Sequence, residues 1–136
     1  MCINVLIINV KFIDPSIKKS FNFPEYLCNG LSGFFLRAYL QHKICLFSKK
    51  TTLISTGLFI QVMDKTVRVV IEPITTINNK YPIIIGNPFN FMDFFDFFEL
   101  KISLWNCSKK NFYINPGDKI AQLSIVPNKK IKFLYI

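Results

Sequence analysis

Short apolar runs, rich in β-branched and aromatic residues, recur along the whole chain and are separated by Gly, Pro, Asn, Asp, Ser or Lys. The first, over 4–13, ends at Asp14-Pro15, and an extended piece over 21–26 surrounds Pro24. Further runs fall at 34–40, 44–47, 51–54, 58–63, 67–71, 81–85, 100–105, 112–114, 120–126 and 131–136. Their length and residue types are those of strands. None holds a 3.6-residue period long enough to predict an amphipathic helix. Lys18-Lys19-Ser20 reads as a polar turn, and Asn29-Gly30 as another. Many short strands at close spacing predict an all-β barrel or sandwich.

The clearest stretch is the one from Asn111 to Pro127. Phe112-Tyr113-Ile114 and the run over 120–126 flank Asn115-Pro116-Gly117-Asp118. Proline fixes one φ and glycine is free to take a positive one, so the segment reads as strand, sharp turn and strand, a β-hairpin.

Composition narrows this picture. With 136 residues the chain suits a single domain, 1–136. Hydrophobic residues make up 51% and charged residues 18%, which excludes a disordered chain. No uncharged apolar run reaches the ~18 residues that a membrane helix needs, so no membrane partner is expected. The start, Met1 to Val10, lacks a basic leader and a small-residue cleavage site and reads as a strand, which predicts a cytoplasmic protein. Cys2, Cys28, Cys45 and Cys107 show no CxxC spacing, and with His42 they form no zinc set, so reduced thiols are expected. A net charge of +9 suits a polyanion partner, but it also suits a genome whose A/T-rich codons favour Lys, Asn, Ile and Phe. The lysines are scattered in pairs and form no block, so drift is favoured over nucleic acid as a partner.

One resemblance turns these elements into a testable fold. Phe-x-Ile-x-Pro-Gly-Asp-Lys-Ile-Ala-Gln-Leu, from Phe112 to Leu123, closely resembles the fourth motif of the homotrimeric dUTPases. The residues from Asn4 to Pro15 are similar to the opening strand of that family, and Thr56-Gly57-Leu58 to its Thr-Gly-Leu strand. Gly86-Asn87, Met92-Asp93 and Leu104-Trp105-Asn106 also stand in register with it. The resemblance implies an all-β, jelly-roll-like β-barrel that assembles as a homotrimer with sites between subunits. It implies dUTP as ligand, dUMP and diphosphate as products, and Mg²⁺ carried on the triphosphate. It places the water-activating carboxylate at Asp93, nucleotide contacts at Asn87 and Met92, and phosphate contacts at Thr75 and Gln122.

Other positions depart from the family pattern. Phe35 stands where the first motif has Asp. In the second motif Pro73-Ile74-Thr75-Thr76 replaces Pro-Arg-Ser-Gly, so Ile74 takes the place of the Arg. Asp96 replaces the Tyr that stacks on deoxyribose, and Lys119 replaces an Arg. The Gly-rich arm of the fifth motif has no counterpart up to Ile136. The residues that match are mostly structural by type. The expectation is therefore a dUTPase scaffold with impaired turnover. The alternative is a non-catalytic trimeric binding or structural protein on the same fold. The aromatic run from Phe89 to Phe98 is expected to pack into space vacated by substrate.

Overall fold

The computed structural model describes residues 5–28, 31–74, 83–86 and 97–136. Among them lie ten strands and one four-residue helix. The elements are β1 (Ile8–Phe12), α1 (Ile17–Ser20), β2 (Tyr26–Cys28), β3 (Leu31–Arg37), β4 (Ile44–Leu46), β5 (Thr51–Val62), β6 (Val67–Glu72), β7 (Ile83–Ile85), β8 (Phe98–Asn106), β9 (Phe112–Ile114) and β10 (Lys119–Pro127). They form two four-stranded sheets, ordered β1-β5-β8-β7 and β2-β3-β10-β6, and a small pair, β4-β9. Every described strand pairing is antiparallel. The strand pattern predicts the all-β class, and the family resemblance the jelly-roll-like form, of this architecture.

Alternation along each strand explains the core. Successive side chains point to opposite faces, so Phe34, Leu36, Ala121 and Leu123 turn inward from β3 and β10. They meet Ile54, Ile60, Leu100, Ile102 and Leu104 of the other large sheet in one buried cluster, which Leu46 and Ile114 of the small pair close at one end.

The structure differs from the sequence reading at four places. The runs over 51–54 and 58–63 are a single strand, β5, carrying a bulge. Ser55 pairs with Lys101 and Phe59 with Glu99, so β5 gains two residues over β8 and keeps its inward parity. Gly57 sits there at φ +71°, where a side chain is strained, and a Cβ would meet Ile17 Cδ1 at 2.4 Å. The Thr56 hydroxyl donates to the Leu100 carbonyl at 2.6 Å and accepts from the Leu58 amide at 3.3 Å. Second, Lys18, Lys19 and Ser20 belong to α1, a helical turn anchored by the buried Ile17. Third, the segment 112–127 is no hairpin. β9 pairs with β4, and β10 pairs with β3 and β6, so the Asn115–Asp118 turn is a corner between sheets. Finally, residues 131–136 form no strand. After the Asn128 amide bonds the Thr66 carbonyl at 2.8 Å, the chain runs on with Leu134 87% and Tyr135 89% exposed.

A buried side chain holds the β8–β9 connection, together with bonds that Ser48 and Lys49 donate to it. Asn106 is fully buried and donates from Nδ2 to the carbonyls of Leu46 and Lys110, at 2.8 and 2.7 Å. Its Oδ1 accepts from the Ser108 amide and hydroxyl, at 3.0 and 2.7 Å. A buried amide with all its polar atoms engaged locks the turn to β4.

Candidate functional site

The outer face of the β2-β3-β10-β6 sheet carries Phe35, Lys119 and Gln122, three of the described residues that the resemblance singles out. β3 approaches β10 closely because residue 33 is glycine. At φ +153°, a Cβ there would lie 1.9 Å from the Leu123 carbonyl oxygen. This contact brings Phe35 directly opposite Gln122, which faces Glu72 of β6 on its other side. Residues opposed across antiparallel strands share a face, so Phe35, Gln122 and Glu72 form one outward row. Gln122 Nε2 donates to Glu72 Oε2 at 3.2 Å.

The end of the row beside Phe35 is charged. Arg37 donates from Nε to Glu25 Oε1 at 2.6 Å and from Nη1 to the Gly117 carbonyl at 2.7 Å. Lys119 Nζ lies 3.3 Å from Glu25 Oε2 and 4.3 Å from the centre of the Phe35 ring, a cation–π contact. The hydrogen bond from Arg37, supported by Lys119, holds the Glu25 carboxyl below its ordinary range against a smaller opposing effect of burial.

The Asn115–Asp118 corner fixes this geometry. Gly117 has the positive φ, +84°, that a type II turn requires at its third residue. The Asp118 amide bonds the Asn115 carbonyl at 3.1 Å, and Asp118 Oδ2 accepts from the Asn115 amide at 2.8 Å. Two further backbone bonds, Gly117 to Ala38 and Ala38 to Asp118, each 2.8 Å, tie the corner to the end of β3. A cavity of about 300 Å³ is lined by Arg37, Tyr39, Pro116 and Gly117 with Ser16 and Phe21. Gln122 is not among its lining residues.

Of the implied site residues, Gln122 is the one placed here, half-buried and bonded to a carboxylate. Thr75, Asn87, Met92 and Asp93 lie outside the described residues, as does Asp96. Ile74, where the family carries Arg, is 4% exposed and part of the core. Phe97 is 46% exposed, so at that position the aromatic run is not packed away; residues 89–96 lie outside the described residues. Glu25, Arg37 and Glu72 were missed by sequence reasoning. Strand alternation gives each residue's face but not its cross-strand partner, and only the β10 register brings Glu72 to Gln122.

The fold and this corner define a dUTPase-type β protein, and comparison with known proteins agrees. The dUTPase family model matches residues 20–134. The chain is 39% identical over 127 residues to the deoxyuridine 5'-triphosphate nucleotidohydrolase of Blochmanniella pennsylvanica, covering 93% of this chain and 85% of that protein. Among solved structures it is similar in fold to a mutant dUTPase from phage phi11 of S. aureus, at a TM-score of 0.73, with 15% identity and 96% of each chain covered. A mutant Staphylococcus bacteriophage 80alpha dUTPase, solved with dUpNHpp, gives 0.71 at 15% identity and 96% of each chain. The chain belongs to the dUTPase family.

Proposed function

We propose that this chain is a single-domain, cytoplasmic dUTPase-family protein whose hydrolysis of dUTP to dUMP and diphosphate is impaired. In this reading dUTP enters as its Mg²⁺ complex. Asn87 and Met92 hold the nucleotide, Thr75 and Gln122 meet the phosphates, and Asp93 accepts a proton from the attacking water. The described residues gather no set of three His, Cys, Asp or Glu side chains able to hold a metal. In this reading Mg²⁺ arrives as part of the substrate.

The observation that carries the impairment is the pair of apolar side chains in charged places. Ile74 lies in the core, and Phe35 lies beneath the Lys119 ammonium. Phosphoryl transfer depends on charge held around the phosphates, and each such contact is worth roughly 10²–10³ in rate. Replacing both an acid and an arginine leaves no unpaired buried charge, so the fold tolerates the change.

A second reading, a non-catalytic homotrimer, draws on the surface of the isolated chain. Ile131, Phe133, Leu134, Tyr135 and Ile136 are all strongly exposed. An apolar run of this kind suits burial against another copy.

Thermal unfolding with millimolar dUTP and Mg²⁺ tests the proposal. The expected melting temperature is unchanged, because a ligand stabilises only the state it binds. A clear upward shift would mean an open, nucleotide-binding site, and would leave the impairment to be decided by turnover alone.

A further inference from the structure

Three groups on the outer face of the β2-β3-β10-β6 sheet are donors suited to an anion: the Arg37 guanidinium, the Lys119 ammonium and the Gln122 amide. Each is already held by a carboxylate of the same chain. Glu25 takes Arg37 at 2.6 Å and Lys119 at 3.3 Å, and Glu72 takes Gln122 at 3.2 Å. Two cations against two carboxylates leave the cluster without net charge, although the whole chain carries +9.

Glu72 is decisive because of its register. It stands directly opposite Gln122, on the same face and half-buried. A phosphate approaching that amide would have to displace the carboxylate from it and then remain beside a like charge. Both requirements oppose binding, and partial burial reduces the screening that would relieve the repulsion.

We propose that Glu72 is an internal stand-in for an anion: it occupies Gln122 and turns phosphate groups away from this face. The residue thus determines what the site excludes. The inference rests on the reading of Gln122 as a phosphate contact.

Calorimetric titration with inorganic diphosphate, free of metal, tests this on the wild-type chain, on Glu72→Gln and on Glu72→Gln combined with Gln122→Ala. Glutamine at 72 keeps an acceptor for the Gln122 amide, and circular dichroism checks that each variant is folded. The expected result is at least tenfold tighter binding of diphosphate by Glu72→Gln than by wild type, with the gain lost in the double variant. Equal affinity in wild type and Glu72→Gln, no binding by Glu72→Gln, or a gain that survives without Gln122 would each overturn the proposal. A parallel dUTP titration separates it from the nucleotide reading. Glu72→Gln that gains diphosphate but not dUTP supports the role of Glu72 and removes dUTP as ligand. Wild-type dUTP binding that Glu72→Gln leaves unchanged retains dUTP and overturns the role of Glu72.

Discussion

The two faces of β3 and β10 obey different rules. Inward, Phe34, Leu36, Ala121 and Leu123 are buried against the opposite sheet, and any change of volume is felt at once. Outward, one residue along each strand, Phe35 and Gln122 are half-buried; the Phe35 ring lies under the Lys119 ammonium and the Gln122 amide meets Glu72. The inner face is fixed by packing that the chain supplies itself. The outer face is constrained by whatever ligand or partner it meets. A residue there can change chemical type while the scaffold stays intact, which is how a dUTPase fold can coexist with Phe35 in the place of an acid.

The largest expected effect lies on the inner seam. Gly33→Ala would place a methyl group 1.9 Å from the Leu123 carbonyl, against backbone that cannot move alone. Such a clash at a positive φ belongs with the severe destabilisations, more than about 4 kcal/mol, and in a small domain the expected outcome is loss of folding by circular dichroism. A folded Gly33→Ala protein would show that the seam is looser than the geometry implies.

Smaller effects sharpen the contrast. Asn106→Ala removes the four hydrogen bonds of a buried amide, two to the Leu46 and Lys110 carbonyls and two from Ser108, and should cost about 2–3 kcal/mol in urea unfolding. Gln122→Ala removes one bond on the outer face and should cost less than about 1 kcal/mol in the same measurement. Equal costs would break the distinction between the faces.

The charged end of the outer face gives the smallest effect, visible against pH. The folded-state pKa of Glu25 is lowered, chiefly by the Arg37 hydrogen bond. Its contribution is therefore present above the ordinary value of 4.5 and is lost as pH falls through the lower folded value. Because the pair is partly exposed, screening keeps the contribution small. The Glu25→Gln variant should show a flatter loss of stability below pH 4.5 than wild type, measured by thermal unfolding. An identical acid profile would remove Glu25 from the account.

Much of the inner face was legible in the sequence. β-branched and aromatic runs placed most strands, and the Phe112–Leu123 resemblance placed the fold, because packing leaves a local alternation that can be read residue by residue. What was not legible depended on partners distant in sequence. The Gly57 bulge looked like a strand break because glycine signals both. Asn115–Asp118 looked like a hairpin because its turn chemistry is the same at a corner between sheets. The run over 131–136 has strand residues but pairs with no strand among the described residues. Glu72 carried no signal, since its role exists only in the β6–β10 register.

The most direct test of the account is the release of diphosphate from dUTP and Mg²⁺ by the purified, folded protein. It should be measured beside a family member that keeps the acid and the arginine at the positions of Phe35 and Ile74. With that arginine replaced by Ile74, turnover is expected to be slower by at least about 10²-fold. Turnover within tenfold of that relative would contradict this, and would mean that the family's chemistry proceeds without those charges.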